Sequence, residues 1–273
     1  MTDRYAVVGY PIEHSQSPMI HRSFACLTGE ELSYDLISAK PSSFEGAIKE
    51  FAASGGKGLN ITLPHKEAAF KLANELGPEA QKAKAVNTLT ISSPMNIRGD
   101  NTDGIGLLRD LTINHGLSLE EKSVLILGAG GAARGIIPPL MESNIGKIAL
   151  ANRTIEKARN LAEAFSTTNK ISVYAFEKLH KIEPYDVVIN ATSAGIKGEK
   201  FEFSSNCINT STFCYDLSYS STQTPFSTWA YKNGVKNIAD GWGMLIEQAA
   251  ESFRIWRGIR PDTNTLLKQT PTR

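Results

Sequence analysis

Near the middle of the chain four apolar residues, Val124-Leu125-Ile126-Leu127, run straight into Gly128-Ala129-Gly130-Gly131-Ala132-Ala133. A short unbroken apolar run reads as a strand buried on both faces of a parallel sheet. Gly128, Gly130 and Ala133 stand in G-x-G-x-x-A spacing, and a helical pattern follows them. The first glycine permits a tight turn and the second lets a pyrophosphate approach the backbone. The small third residue lets the helix pack against the strand. Amide N–H groups at the helix start then face the phosphates. This order of strand, turn and helix constrains the chain to an α/β fold with a dinucleotide site.

The segments that follow extend the same unit. The helix is read through Arg134 to Ser143, with Pro138 and Pro139 expected to kink it or shorten its regular part. A second strand, Lys147 to Ala151, ends at Asn152-Arg153-Thr154. An acid about 20 residues past the glycine turn ordinarily holds the ribose 2′-hydroxyl of NAD. Here that place offers Arg153, with Lys157 one turn on. A guanidinium suits a 2′-phosphate by charge and by paired hydrogen bonds, so the expected cofactor is NADP. Asp186 to Asn190 and Phe213 to Leu217 read as further buried strands, the first leading into Ala191-Thr192-Ser193-Ala194-Gly195.

The first hundred residues read as a separate α/β region. Tyr5 to Gly9 is a strand. In Ser15-Gln16-Ser17-Pro18, Ser17 reads as a helix N-cap with proline at the first helical position. Ile20, Phe24 and Leu27 supply that helix with an apolar stripe, and Gly29 stops it. Two hydroxyls, Ser15 and Ser17, beside free helix N–H groups suit a carboxylate. Leu32 to Ile37 alternates as a strand, Phe44 to Ala52 is helical, and Gly58 to Leu63 is a third strand. Asn60 and Thr62 share one face of it. A helix then opens at Lys66, its inner face including Ala69, Ala73 and Leu76. A cation in the first helical turn opposes the helix dipole, which with any burial moves a lysine toward proton-transfer range. Ala85-Val86-Asn87-Thr88 precedes a strand from Leu89 to Ser92. Asp103 opens a helix carrying Ile105, Leu108 and Leu111, as an N-cap or as a partner for Lys66. Met244 to Trp256 is a strong helix with Leu245, Ala249, Phe253 and Trp256 along one stripe and Gln248 on its flank, where an amide is ordinarily structural.

Composition excludes several classes. With 29 basic and 28 acidic residues among 273 the chain carries a net charge of +1, no footprint for nucleic acid. There is no apolar run of membrane-spanning length and no basic-apolar leader, so a soluble cytoplasmic protein is expected. Three cysteines, Cys26, Cys207 and Cys214, have no metal-ligand spacing. No metal is expected. Lys268 to Arg273 read as a frayed tail.

Taken together, the motifs resemble the shikimate dehydrogenase family over nearly the whole chain. They are Gly9-x-Pro11-Ile12-x-His14-Ser15-x-Ser17-Pro18, Asn60-x-Thr62-x-Pro64-His65-Lys66, Ala85-Val86-Asn87-Thr88 and Asn101-Thr102-Asp103-Gly104. The glycine turn, Asn152-Arg153-Thr154, Asn190-Ala191-Thr192-Ser193-x-Gly195, Tyr215-Asp216-Leu217-x-Tyr219 and Asp240-Gly241-x-Gly243-Met244-Leu245-x-x-Gln248-Ala249 follow in order. The resemblance implies two α/β domains with a cleft between them. A substrate-binding catalytic domain spans 1–102 plus 240–273, and a Rossmann-like, doubly wound NADP-binding domain spans 103–239. It implies reversible NADPH-dependent reduction of 3-dehydroshikimate to shikimate in aromatic amino acid biosynthesis, by a monomer or homodimer.

Residue by residue, the resemblance gives Lys66 the proton transfer and Asp103 the role of its partner. Ser15 and Ser17 match the holders of the substrate carboxylate, and Asn60, Thr62, Asn87, Asp103, Tyr219 and Gln248 the other substrate contacts. Gly128, Ala129, Gly130, Gly131 and Ala132 match the pyrophosphate loop. Asn152, Arg153, Thr154 and Lys157 match the 2′-phosphate region, and Leu217 and Gly241 the nicotinamide end. Ser220-Ser221-Thr222, Pro78 and Pro138-Pro139 depart from the family's usual pattern, away from this chemistry. Two alternatives stand beside this reading: a sister enzyme that accepts quinate or NAD, and a non-catalytic dinucleotide sensor on the same fold.

Overall fold

The structure, a computed structural model, describes residues 2–165, 171–192 and 203–269. It divides into two units, one made of the residues up to Arg109 with those from Leu245 onward, the other of Asp110–Met244. The first unit contains β1 (Asp3–Gly9), α1 (Ser17–Thr28), β2 (Leu32–Ser38), α2 (Phe44–Ala53), β3 (Gly58–Ile61) and α3 (Lys66–Leu72). It continues with β4 (Glu75–Leu76), α4 (Pro78–Ala83), β5 (Thr88–Ser93), β6 (Asn96–Asp100) and α5 (Asp103–Arg109). The second contains β7 (Ser123–Leu127), α6 (Gly131–Met141), β8 (Lys147–Asn152), α7 (Ile155–Phe165) and β9 (Ser172–Ala175). β10 (Val187–Asn190), β11 (Phe213–Asp216), α8 (Pro225–Lys232) and β12 (Asn237–Ala239) complete it. The chain ends with α9 (Trp242–Arg257) and α10 (Asn264–Leu267). The units change over at Arg109–Asp110 and inside α9, within continuous helical stretches; the divisions that the resemblance implies stand at 102–103 and 239–240.

In the first unit the sheet order is β2-β1-β3-β5-β6-β4, with β1 parallel to β2 and β3, and β5 antiparallel to β3 and β6. Val8, Ile48, Leu59 and Leu89 belong to a core cluster of this unit. Phe24 of α1 meets Phe253 of α9 edge to face at 5.9 Å, both fully buried. Burying a phenylalanine contributes about 1.5–3 kcal/mol, so this pair helps fix the distant closing helix onto the first.

In the second unit all strand pairs are parallel, in the order β12-β11-β10-β7-β8-β9. Read from β9, this is the doubly wound 3-2-1-4-5-6 order, whose direction reverses between β7 and β10. The ligand crevice of such sheets lies at that switch point, beyond the carboxyl ends of the strands. Gly128 and Ala191 follow those two strands directly. Cys207 and Cys214 are packed in this unit's core, and burial pushes their thiols up to about 11 and about 12, so they serve as small apolar groups.

Several local expectations are corrected. α3 stops at Leu72 with Ala73 extended, and Leu76 pairs as β4 with Gly99 instead of continuing the helix. Leu27 is 52 % exposed and Ile105 is 39 % exposed; of the expected stripe Ile105, Leu108 and Leu111 only Leu111 is fully buried, and Leu107, outside that stripe, is buried as well. The helix after the glycine turn starts earlier, at Gly131, and runs through Pro138 and Pro139 to Met141, with the Pro138 carbonyl accepting from Glu142 N–H. The strands β4, β6, β9 and β12 and the helices α4 and α8 are short elements whose sequences give little periodic signal. The 193–195 part of the loop after β10 and residues 270–273 of the expected tail lie outside the described residues. Lys268 itself caps α10. Among the described residues, no helix is long and apolar enough to cross a membrane, and no group of three His, Cys, Asp or Glu residues could hold a metal ion.

Candidate active site

In the first unit, β3 and its following loop deliver Lys66 to the first position of α3. The ammonium Nζ lies 2.5 Å from Asp103 Oδ2, with side chains only 13 % and 5 % exposed. The other carboxylate oxygen, Oδ1, accepts from Asn87 Nδ2 at 2.9 Å. Asp103 opens α5, but it is not the cap. Asn101 Oδ1 accepts from Asp103 N–H at 3.0 Å, which leaves the Asp103 carboxylate free to face the lysine.

Asn87 organises the surroundings. Its Oδ1 accepts from Thr102 N–H and from Thr88 Oγ1, each at 2.9 Å, which fixes the orientation of the amide. Its Nδ2 also reaches Gln248 Oε1 at 3.3 Å, and Thr102 Oγ1 donates to the same oxygen. Gln248 sits on α9 beside Gly106, where a Cβ would lie 2.7 Å from its own Cβ. Ser252, four residues further along α9, hydrogen-bonds the Gln248 carbonyl and the hydroxyls of Thr88 and Thr102. Asn60 is drawn into the same network. Its Nδ2 donates to Ser252 Oγ at 3.0 Å, and its Oδ1 accepts from the Tyr34 hydroxyl at 2.7 Å. Buried polar groups linked this fully hold one geometry; partly linked ones are costly.

At the start of α1, Ser17 is the first helical residue and not the N-cap. Gln16 takes the cap position without a side-chain bond, and Pro18 is drawn one step further into the helix. The helix thus begins one residue earlier than its sequence indicates, the usual uncertainty of a helix end. Ser15 Oγ accepts from Ser17 N–H at 3.3 Å and lies 3.2 Å from Ser17 Oγ, so the two hydroxyls form one cluster. Thr62 is half-buried, and its methyl fills the space that glycine leaves at Gly9, where a Cβ would sit 2.6 Å away.

The second unit bears the glycine turn. Gly128 has φ +112°, and a Cβ there would lie 2.8 Å from the Ala191 carbonyl oxygen, so the fold itself demands glycine. Gly130 is different. Its backbone is extended, it is exposed, and a Cβ would meet nothing among the described residues within 4 Å. A glycine that the chain's own packing does not require fits close approach by a bound group. α6 begins beside it at Gly131 without a side-chain cap, and Ala133 is fully buried against the sheet. Ala129, Gly131 and Ala132 are half-buried around this turn.

After β8, Asn152 Nδ2 donates to the Thr154 carbonyl at 2.8 Å and closes the turn that presents Arg153. Arg153 and Lys157 are exposed, and Arg153 has no ion-pair partner among the described residues. At the ends of β11 and β12, Gly241 N–H donates to the Ser218 carbonyl, and a Cβ on Gly241 would lie 2.2 Å from the Leu217 carbonyl oxygen. Asp216, buried just before Leu217, accepts from Asn190 Nδ2 and Ser218 N–H; burial pushes its carboxyl up to about 6. Tyr219 is half-buried with its ring 5.8 Å from that of Trp242.

Lys66, Asp103, Asn87, Gln248 and Asn60 are therefore joined in one network, and the expected cofactor residues cluster at the strand ends of the second sheet. The sequence reading passed over Tyr34, Thr88, Asn101, Thr102 and Ser252 as site residues. Ser252 carried a usable signal, its i+4 spacing from Gln248 on one helix face.

A parallel sheet in dinucleotide-binding order, together with a paired lysine and aspartate in the companion unit, defines a nucleotide-dependent oxidoreductase. The chain belongs to the shikimate dehydrogenase family. Residues 7–89 match the shikimate dehydrogenase substrate binding domain, 111–219 the shikimate/quinate 5-dehydrogenase model and 241–269 the shikimate 5'-dehydrogenase C-terminal domain. A shikimate dehydrogenase (NADP(+)) of Alkalilimnicola ehrlichii is 49 % identical over 267 residues, covering 98 % of each chain. The crystal structure of an Ael1 enzyme from Pseudomonas putida superposes with a TM-score of 0.89 at 39 % identity, covering 100 % of this chain and 99 % of that one. The shikimate 5-dehydrogenase of Thermus thermophilus, solved with NADP(H) and shikimate, gives 0.85 at 31 % identity over 97 % of both chains.

The two glycines of the turn separate stability from binding. Gly128→Ala is expected to cost about 1–3 kcal/mol or more in urea unfolding. Gly130→Ala should unfold within about 0.5 kcal/mol of the parent yet bind NADP about tenfold or more weakly by calorimetry. A Gly130→Ala protein that binds NADP normally contradicts this account of the turn.

Proposed function

We propose that this chain is an NADP-dependent shikimate dehydrogenase that interconverts 3-dehydroshikimate and shikimate, in the cytoplasm, as a monomer or homodimer. The observation that carries the reading is the largely buried Lys66–Asp103 pair, with Asn87 on the second carboxylate oxygen. Bound NADPH supplies the hydride that the substrate's carbonyl carbon receives. Reduction leaves negative charge on the carbonyl oxygen. Lys66 stabilises that charge and delivers a proton to it, and in the oxidative direction takes the proton back. Asp103 holds the ammonium in place with one oxygen, and Asn87 keeps the carboxylate from turning away. Only one of the three ammonium donors is needed for Asp103, so the others serve the substrate.

Ser15 and Ser17 hold the substrate carboxylate. Asn60, Thr62, Asn87, Asp103, Tyr219 and Gln248 make the remaining contacts. Gly128, Ala129, Gly130, Gly131 and Ala132 cradle the pyrophosphate. Asn152, Arg153, Thr154 and Lys157 receive the 2′-phosphate, and Leu217 and Gly241 stand at the nicotinamide end. The exposed Arg153, on a turn without an acid, favours NADP over the NAD-accepting sister reading.

Lys66→Ala is expected to lower kcat for shikimate oxidation by about 10²-fold or more while NADP binding by calorimetry is unchanged; near-parental turnover would refute the proton-transfer role. Arg153→Ala is expected to raise KM for NADPH about tenfold or more and to leave KM for NADH within about twofold, since only NADPH carries the phosphate that a guanidinium pairs with. Equal losses for the two cofactors would contradict it.

A further inference from the structure

Asp110 is a buried carboxylate to which the proposed reaction gives no part. It begins the π-helical turn Asp110–Asn114 that prolongs α5, and it belongs to the second unit. The Tyr215 hydroxyl donates to its Oδ2 at 2.5 Å, and Asn114 Nδ2 donates to its Oδ1 at 2.8 Å. His115 Nε2 lies 3.7 Å from Oδ2. The carboxylate also lies against the first turn of α9. A Cβ on Gly243 would sit 2.0 Å from Oδ1 and 2.5 Å from Oδ2, and the three atoms nearest to it all belong to the Asp110 carboxyl. That group therefore fills the space of the missing side chain.

Tyr215 stands on β11, two residues before Leu217, and Gly243 stands two residues after Gly241. Asp110 thus touches both of the segments that carry Leu217 and Gly241. The two segments also meet directly. Gly241 N–H donates to the Ser218 carbonyl at 3.0 Å, and a Cβ on Gly241 would lie 2.2 Å from the Leu217 carbonyl oxygen. Asp240 Oδ1 accepts from Trp242 N–H at 3.0 Å and closes the turn. The turn is held at Gly241 by the end of β11 and at Gly243 by Asp110.

We propose that Asp110, tied to β11 by Tyr215, is a positioning residue for the nicotinamide half of the cofactor, keeping the Asp240–Gly243 turn and the Leu217 end of β11 in one arrangement. This rests on the reading of Leu217 and Gly241 as the nicotinamide end. An anion suits the place, because two donors converge on it and a helix start carries partial positive charge. Burial and the neighbouring Asp110 hold the Tyr215 phenol well above its ordinary range, so it stays an O–H donor. Glycine inside a helix costs backbone entropy that alanine would not. At Gly243 that cost admits the carboxylate to the helix backbone. A turn fixed before the cofactor arrives spares the binding step the cost of ordering it.

The test is calorimetric binding of NADPH and of adenosine 2′,5′-bisphosphate to full-length Tyr215→Phe and Asp110→Asn proteins beside their parent. The bisphosphate keeps the phosphorylated adenosine and lacks the nicotinamide. If the parent binds neither ligand, the cofactor reading itself fails and the proposal falls with it. If the parent binds both equally well, the proposal falls while the reading of Arg153 stands. Given a parent that prefers NADPH, both variants are expected to bind NADPH about 5- to 30-fold more weakly, the loss of one hydrogen bond to a charged group. Their affinity for the bisphosphate should stay within about twofold of the parent's. A structural role alone predicts equal losses for the two ligands, or fewer binding sites of parental affinity. Either of these, an unchanged NADPH affinity in either variant that folds, or failure of both variants to fold by circular dichroism overturns the proposal.

Discussion

Burying a carboxylate is expensive unless both of its oxygens are engaged. Asp103 meets that condition by dividing its oxygens between the Lys66 ammonium and the Asn87 amide, and much of the first unit is arranged to make the division possible. Asn87 can serve only if its amide faces the right way, which Thr102 N–H and Thr88 Oγ1 enforce. Those groups come from the start of α5 and the start of β5. Gln248 and Ser252, from the far end of the chain, close the network over them. This is a physical reason for the closing helix to return to the first unit: without α9, Asn87, Thr88 and Thr102 would each lose a buried partner.

The second unit solves a different problem, the approach of an anion to backbone. Its two glycines are not equivalent. Gly128 answers to the protein, through a positive φ and the nearby Ala191 carbonyl, whereas Gly130 has no such neighbour among the described residues. The sheet order places both beside the reversal point between β7 and β10, the position at which open parallel sheets bind nucleotides. Asp216 and Gly241 then fix the ends of β11 and β12 through backbone contacts.

The sequence made the second unit more legible than the first. The apolar strands around Leu125, Ala149 and Val188 and the glycine spacing are local signals, and a parallel sheet buries such strands on both faces. Lys66 and Asp103 stood out because each opens a helix. Ser17 looks like a cap because two hydroxyls before a proline are alike in sequence, but Ser15 is the one that accepts the amide hydrogen. Leu76 continues the helical period in sequence, and periodicity cannot show that Ala73 turns extended and sends the chain into β4. Tyr34 and Ser252 are hidden in the sequence for a stronger reason. Their importance lies in contacts with Asn60 across 26 and 192 positions of sequence, and no local pattern encodes such partners.

The central claim is that this arrangement oxidises shikimate with NADP. It is tested most directly by following reduced-nicotinamide absorbance in purified protein given shikimate or quinate, each with NADP or NAD. The account predicts strong reduction with shikimate and NADP and little in the other three mixtures. Silence in all four, with NADP still bound, would contradict it and leave the fold as a dinucleotide sensor; comparable rates with quinate or NAD would contradict the part assigned to Arg153.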